Sequence, residues 1–280
     1  MSSSPRPTFD KPTLIPYSQV TRHVWGDDDS GKVIDWIYVS SSKIHQLVFS
    51  IPYGGNFRHS EDHRTIFAAD ELYYVLSGTL VLSNPETGEI HRIEKGQAAF
   101  FRRDTWHHGF NYGTEPLRVI EFFAPPPSQG TSSAYAKTKP NLKEFRYKRD
   151  DLVGNWPMAR KEAAFSMTTV RDSDILWRME GQTQQTLVGL LFSSDQLTVG
   201  KRILLPGQQT EIEVHGGDES VYLLDGHLAI SVKTENASPW FELNPGDGFY
   251  LPQGTAHQYR NMADQPITFL FGVAPAYLCR

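Results

Sequence analysis

The sequence has almost no cysteine and no long hydrophobic run. Its single cysteine, Cys279, has no second cysteine to pair with, which excludes an internal disulfide and agrees with a reducing compartment. No apolar stretch approaches the roughly 18 residues that a membrane span needs, and the first residues lack the basic start and apolar core of a secretory signal. We therefore expect a cytoplasmic protein with no membrane partner.

Dense positive charge is also missing. Lys and Arg number 27 against 32 Asp and Glu, and the net charge is −5. Binding of a phosphate backbone needs clustered Lys and Arg, so we expect no nucleic-acid partner. With 280 residues, of which 39% are hydrophobic, the chain can bury one large core or two ordinary ones.

The local patterns predict β-strands rather than helices. Short runs rich in Val, Ile, Leu, Tyr and Phe alternate with turns of Gly, Pro and Asn at a spacing of roughly 8 to 12 residues, as in a β-sandwich or barrel. The composition breaks at Pro125, where the segment PPPSQGTSS begins. We predict an N-terminal domain over residues 1–124, a linker over 125–165 and a C-terminal domain over 166–280.

One spaced pattern of glycine, glutamate and histidine occurs twice, about 150 residues apart. The second copy reads Gly207, Glu213, His215, Glu219 and Gly226, followed by Gly246, Pro252, Gly254, His257 and Asn261. The first copy reads Gly55, Glu61, His63, Glu71 and Gly78, followed by Gly96, His107 and Asn111. Chance does not repeat so many positions, so the pattern indicates an internal duplication.

The Glu-x-His spacing predicts a metal site in each half. Residues i and i+2 of a strand face the same side, so Glu213 and His215 point into one sheet face, where Glu219 and His257 can join them. Two carboxylates buried in an apolar barrel need a cation, which makes a metal the simplest explanation. The equivalent ligands in the first half are Glu61, His63, Glu71 and His107.

The first copy departs from the second in its spacing. Seven residues, rather than three, separate His63 from Glu71, so the longer loop can carry His63 away, and His59 is an alternative ligand. His108 points to the opposite face from His107 if the strand is regular.

These motifs resemble those of the cupin family. The second motif is complete in Gly246, Pro252, Gly254, His257 and Asn261, and the first has Glu213 where a histidine is expected. In the first half Glu61 occupies the same place, and Arg102 and Asp104 replace the proline and the second glycine. The resemblance implies an all-β bicupin, which is two tandem double-stranded β-helix (jelly-roll) barrels. It also implies a small-molecule substrate and a homodimer or higher homo-oligomer.

The Glu-x-His opening is similar to that of the ureidoglycine aminohydrolase bicupins, which are manganese enzymes. The sequence departs from that family at Glu219, where the family has histidine, and at His257, where it has glutamine. We therefore do not carry the substrate of that family over. Cupins as a whole host dioxygenases, decarboxylases, isomerases, hydrolases and binding proteins, so the fold does not select the reaction.

The ligand set narrows the chemistry. A carboxylate-rich site favours Mn²⁺ or Fe²⁺, with Zn²⁺ or Ni²⁺ also possible. Our leading hypothesis is a metal-dependent isomerase, hydrolase or lyase acting on a small oxygenated metabolite, in which Glu213 and Glu219 are both ligands and catalytic bases. Arg102, Tyr222 and Tyr259 are candidate substrate contacts. The alternatives are an iron-dependent dioxygenase that opens an aromatic or diketone substrate, and a non-catalytic binding bicupin.

Overall fold

The computed structural model describes residues 5–157, 164–234 and 238–279, and residues 158–163 of the predicted linker lie outside this part. The predicted all-β architecture of two tandem jelly-roll barrels is confirmed. The N-terminal half of the chain contains β1 (Thr13–Ile15), β2 (Thr21–Asp27), β3 (Gly31–Ser40), β4 (His45–Ile51), β5 (Asn56–Phe57), β6 (Asp70–Ser77), β7 (Thr79–Asn84), β8 (Glu89–Glu94), β9 (Ala98–Phe101), β10 (His108–Asn111) and β11 (Leu117–Ala124).

The second half repeats this order after a connecting segment. That segment contains one short α-helix, α1 (Ser133–Ala136), and 3-10 turns at Pro127–Gln129 and Asp150–Leu152. The strands that follow are β12 (Met167–Val170), β13 (Leu176–Glu180), β14 (Thr186–Ser193), β15 (Thr198–Leu204), β16 (Asp218–Asp225), β17 (Leu228–Val232), β18 (Trp240–Leu243), β19 (Gly248–Leu251), β20 (His257–Asn261) and β21 (Ile267–Ala274). Two more 3-10 turns lie at Tyr17–Gln19 and Asp172–Asp174.

Each barrel consists of a seven-stranded sheet facing a smaller one. The first barrel pairs its strands in the orders β12-β9-β6-β11-β4-β3-β2 and β5-β10-β7-β8. The second has the orders β1-β19-β16-β21-β15-β14-β13 and β18-β17-β20. The part of the chain that the structure describes contains no helix long and apolar enough to cross a membrane.

The two barrels exchange edge strands. The strand Thr13–Ile15, which precedes the first barrel, pairs antiparallel with β19 of the second. The strand Met167–Val170, which precedes the second barrel, pairs antiparallel with β9 of the first. Strand pairing therefore runs across the predicted linker in both directions.

The described residues form three large apolar cores, which follow from strand alternation, and a small satellite cluster around Ile66, Trp106 and Ala136. In β11 the side chains of Val119 and Phe123 face the interior of the first barrel, whereas Ile120 and Phe122 face the other barrel. The third core fills the interior of the second barrel. The middle core, between the large sheets, is tight enough that a Cβ added to Gly272 would lie 2.3 Å from the Phe122 ring.

A polar cluster at each end of this interface joins the barrels. In the second barrel, Asp218 accepts hydrogen bonds from Ser41 Oγ (2.8 Å), Lys43 Nζ (2.9 Å) and Tyr250 OH (2.7 Å). In the first barrel, Asp70 accepts hydrogen bonds from Ser194 Oγ (2.7 Å) and Arg102 Nε (2.8 Å). The duplicated sequence thus makes two related contacts, and each reaches into the opposite barrel.

Candidate metal centre

The second barrel brings all four predicted ligands together. Glu213 and His257 lie on neighbouring extended segments, joined by backbone hydrogen bonds of 2.8 and 3.0 Å, and Glu219 is the second residue of β16. Between His215 and Glu219 the chain passes close to Ala274, where a Cβ on Gly217 would lie 2.2 Å from the carbonyl oxygen. The glycine at this position allows the short connection that places His215 beside Glu219.

The ligand atoms lie within a few ångströms of one another. Glu219 Oε2 is 3.2 Å from His257 Nε2 and 3.5 Å from His215 Nε2, and Glu213 Oε2 is 3.9 Å from His215 Nε2. Ligand atoms of Glu213, His215 and His257 all lie within 4.8 Å of one another, the one such group of three among the described residues. His215, Glu219 and His257 are buried, and Glu213 is half-buried.

Backbone carbonyls fix both imidazole rings. The Tyr277 carbonyl lies 2.7 Å from His215 Nδ1, and the Thr255 carbonyl lies 3.0 Å from His257 Nδ1. A carbonyl accepts but cannot donate, so each Nδ1 carries a proton and each Nε2 directs its lone pair into the barrel when the ring is neutral. Metal-binding histidines in proteins commonly have this second-shell arrangement.

The four inward atoms fit a divalent cation. Glu213 Oε2, His215 Nε2, Glu219 Oε2 and His257 Nε2 are all buried, and none has a hydrogen-bond partner among the described residues. Burial of polar atoms without a partner costs free energy. A cation bound where these four atoms converge would interact with all of them and remove this cost. Burial alone would raise the pKa of Glu219, but the positive charges of His215 and His257, when both rings are protonated, outweigh it and lower that pKa to about 2.

A fully buried arginine, which the sequence patterns did not indicate, supports Glu213. Arg202 Nη1 donates to Glu213 Oε1, and Arg202 Nη2 donates to Glu180 Oε2 at 2.8 Å. Tyr277 OH also donates to Glu180 Oε2 at 2.8 Å. One oxygen of Glu213 is therefore held, and the other is left for the cation. Alternation along β15 places Arg202 on the same face as the buried Leu204, which is the signal that could have revealed it.

Charge counting also favours a dication. Three carboxylates, Glu180, Glu213 and Glu219, face a single guanidinium, Arg202. When all are ionised the cluster lacks two positive charges, which a divalent ion supplies. Without this ion the cluster would need protonated imidazoles or carboxyl groups.

The structure places the three candidate substrate residues differently. Tyr259 lies beside the site, with its ring 5.0 Å from that of His257 and its buried hydroxyl beside Glu219. Tyr222 packs against Tyr38 in the middle core, with ring centroids 5.6 Å apart, and does not reach the ligand cluster. Arg102 is bound to Asp70 and Asp195 at the inter-barrel contact.

The first barrel brings together only half of its predicted ligand set. Glu71 and His107 are buried, with Glu71 Oε2 3.9 Å from His107 Nε2. Glu61 is exposed in the long loop before β6, and His63 Nδ1 instead contacts Asp27 Oδ2 at 2.9 Å. The longer loop therefore carries the Glu-x-His pair away from the barrel interior.

The alternative ligand His59 has a different set of partners. His59 Nδ1 forms a 2.7 Å hydrogen bond with His108 Nε2, and His59 Nε2 lies 2.8 Å from the Leu142 carbonyl oxygen. Both histidines hold the connecting segment against the outside of the first barrel, because His108 Nδ1 also contacts Tyr147 OH at 3.0 Å.

The model of the cupin domain matches residues 48–123 and 201–273, which together make up more than half of the chain. The chain belongs to the cupin family. Both barrels are matched, so the predicted bicupin organisation is confirmed. No match is found among curated proteins.

Solved bicupin structures share the fold over nearly the whole chain. Oxalate decarboxylase of Bacillus subtilis is 15% identical, with a TM-score of 0.65, 98% of this chain covered and 80% of that chain. The oxalate decarboxylase of Lactobacillus farciminis in a formate complex is 14% identical, with a TM-score of 0.63 and 97% and 88% covered. The Bacillus enzyme is described as having Mn(II) centres. At this identity the likeness establishes the fold of this bicupin and not its substrate.

Proposed function

We propose that this bicupin is a metal-dependent enzyme that acts on a small oxygenated metabolite in its second barrel. The ion is Mn²⁺ or Fe²⁺, and its ligands are Glu213, His215, Glu219 and His257. The observation that carries the proposal is the convergence of four buried ligand atoms without partners among the described residues, two of them on imidazoles oriented by backbone carbonyls.

The bound cation would polarise a hydroxy, keto or carboxylate oxygen of the substrate. The chain's own residues then divide the remaining work. His215 and His257 hold their rings in place through Nδ1, and Arg202 holds one oxygen of Glu213. Tyr259 OH, which is buried beside Glu219, would donate a hydrogen bond to a substrate oxygen.

Glu213 is better placed than Glu219 to move a proton. Its side chain is 17% exposed, whereas that of Glu219 is 3% exposed and lies between two imidazoles that stabilise its ionised form. A base must reach the proton that it removes, so we assign the ligand role to both and the base role to Glu213, whose Oε2 would leave the cation to take the proton while Oε1 stays on Arg202.

Redox-neutral chemistry is the version of the proposal that we favour. Two carboxylates offset the double charge of the ion and suit substrate binding and proton transfer at an oxygenated carbon. The structural neighbours are oxalate decarboxylases, which supports lyase chemistry on a small carboxylate within this class.

Metal analysis of purified protein tests the site. We expect about one ion per chain in the wild type, as for a single bound cofactor. The ion should be lost from His257→Ala and Glu219→Gln. His107→Ala, in the first barrel, is the matched control and should keep it. Unchanged metal content in His257→Ala, or loss in His107→Ala alone, would refute the assignment.

Turnover assays test the chemistry. Metal-loaded protein is incubated with a panel of small hydroxy, keto and carboxylic acids, including oxalate, and products are followed by NMR while oxygen uptake is recorded. We expect product without oxygen consumption, and reduced turnover with retained metal in Tyr259→Phe. Oxygen uptake with catechols, flavonols or diketones would instead show a dioxygenase. Ligand binding without turnover across the panel would show a binding protein.

A further inference from the structure

The interior of the first barrel contains a cavity of about 340 Å³. Its walls are mainly aromatic, with Trp25, Phe49, Phe57, Phe67, Tyr73 and Phe123 among the lining residues. Sites for small ligands fall in this size range and have this apolar character with a few polar groups. The volume suits a molecule of about the size of one substituted aromatic ring.

Two carboxylates interrupt the aromatic wall. Glu121 lies on β11 between Leu47 of β4 and Tyr73 of β6, and Asp35 lies opposite Phe49. Among the described residues no hydrogen-bond or ion-pair partner of Glu121 is found, and Asp35 contacts only His23, at 3.4 Å. Burial raises the pKa of both groups, and the Asp35 carboxylate adds to the effect on Glu121. A positive charge placed between them would favour their ionised forms, so a cation that binds there displaces the proton that Glu121 keeps in the free protein.

Two neutral acceptors complete the polar lining. Thr65 is 2% exposed and His45 is 6% exposed, and Thr65 Oγ1 and His45 Nδ1 line the cavity without a partner among the described residues. Burial and the Arg6 guanidinium lower the pKa of His45 to about 3, so the ring is neutral. A neutral imidazole has one acceptor nitrogen, and Nδ1 is available for that role because it has no partner among the described residues.

The other charged groups do not cancel the carboxylates. Arg6 lines the cavity from an exposed position in the segment before β1. Burial lowers the pKa of His107 to about 4, so it adds no positive charge at neutral pH. The interior therefore offers carboxylates and acceptors to a ligand that brings donors and positive charge.

The barrel fold does not require these acids. In the first barrel, Asp35, Phe49 and Val119 lie side by side on three neighbouring strands. The equivalent positions of the second barrel hold Val188, Arg202 and Phe269. Glu121 is the fifth residue of β11, and the fifth residue of β21 is Phe271. The second barrel thus has apolar side chains where the first has its two carboxylates, and an arginine where the first has Phe49.

We infer that the cavity of the first barrel binds a small organic cation, an ammonium that carries an aromatic or apolar group. The acids Glu121 and Asp35 and the rings of Trp25, Phe57 and Tyr73 line the same cavity, a combination found in other sites for ammonium ligands. This site is separate from the metal centre of the second barrel and does not depend on the function proposed there.

Binding of benzylammonium and benzyltrimethylammonium, measured by calorimetry and by tryptophan fluorescence, tests the inference. Benzyl alcohol is the neutral probe of matched shape, and benzoate is the anionic one. We expect the cations to bind at least about tenfold more tightly than benzyl alcohol, the range of one charged hydrogen bond, and benzoate to bind weakest. Equal affinity of the neutral probe, or no binding of either cation, would overturn the inference.

Glu121→Gln and Asp35→Asn should each weaken cation binding by about tenfold or more. Glu94→Gln, at an exposed acid of the same barrel, is the control and should leave affinity unchanged. The Glu121→Gln protein should unfold no earlier than the wild type, because it loses a buried carboxylate, so weaker binding will not reflect unfolding. Unchanged cation affinity in Glu121→Gln would refute the site. A competition experiment in His257→Ala, which lacks the metal site of the second barrel, gives a second test: displacement of the bound organic cation by Mn²⁺ would also refute the site.

Discussion

Removal of the Asp218 carboxylate should weaken the contact between the barrels. In Asp218→Ala, the half-buried Lys43 ammonium and the backbone N–H of the exposed Gln253 can bind water instead, whereas the hydroxyls of Ser41 and Tyr250 are buried and lose their acceptor. Each stranded buried hydroxyl costs about 1–3 kcal/mol. We therefore expect a loss of about 3 kcal/mol in the free energy of unfolding for Asp218→Ala, and a smaller loss for Asp218→Asn, which keeps an acceptor.

Thermal unfolding followed by circular dichroism measures this loss. At about 2–4 °C per kcal/mol for a chain of this size, Asp218→Ala should lower the midpoint by roughly 6–12 °C. Asp225→Ala is a suitable control, because Asp225 is an exposed acid at the other end of the same strand. A shift below about 2 °C for Asp218→Ala would show that the hydrogen bonds contribute little and that the apolar middle core alone joins the barrels.

The same contact predicts a pH dependence. Burial alone would raise the pKa of Asp218, but hydrogen bonds from Lys43, Tyr250, Ser41 and the Gln253 amide outweigh it and lower that pKa below its ordinary value of 3.8. Stability from this group is therefore complete above about pH 4 and is lost as the pH falls through the lowered folded-state value. The difference between wild type and Asp218→Asn should be constant near neutrality and shrink in acid. A difference that grows in acid would contradict this account.

Three further predictions concern packing, titration and the exchanged strand. Gly272→Ala should cost about 1–3 kcal/mol by overpacking against Phe122, and Phe122→Leu in the same chain should restore part of it; equal urea midpoints for Gly272→Ala and wild type would contradict this. Burial is the chief cause that raises the pKa of Glu121 from 4.5 to about 8. Between these pH values the folded protein keeps a proton that the unfolded chain has released. The stability of the wild type should therefore fall relative to that of Glu121→Gln as the pH rises through this range. Melts at pH 5 and 8 check the sign, and a constant difference refutes it. Deletion through Ile15 should expose the edge of Gly248–Leu251 and raise light scattering, whereas a deletion ending at Pro12 should not.

The alternation of strand residues explains why the sequence indicated so much of the second site. Glu213 and His215 are two residues apart on an extended segment, and the short connection to Glu219 leaves little freedom, so the spacing alone brings the ligands to one face. The same rule fails at Glu61 and His63, because a loop of seven residues has no fixed direction. The position of this pair depends on the contact between His63 and Asp27, which lies more than 30 positions away in sequence.

Other features depend on pairing that no local pattern contains. Arg202 reaches Glu213 and Glu180 because β15 lies beside β14 and β13 lies beyond it. The sequence suggested that Tyr222 contacts the substrate. Tyr222 lies three positions after Glu219 in β16, so strand alternation places the two side chains on opposite faces. Glu219 faces the interior of the second barrel, and Tyr222 therefore faces the other barrel. Sequence periodicity indicates that a side chain changes face, and only the assembled sheets show what lies on each face.

The exchange of edge strands determines where this bicupin can be divided. A cut in the segment 125–165 would leave the first fragment without β12 and the second without β1, and each large sheet would lose an outer strand. A self-sufficient first barrel would instead extend to Val170, and a self-sufficient second barrel would need residues 13–15 attached in a new way, for example through a joined terminus. Loss of one barrel therefore removes an edge strand from the other. The metal ligands and cavity residues of the two halves can change independently in evolution, whereas the strands that they exchange must be retained together.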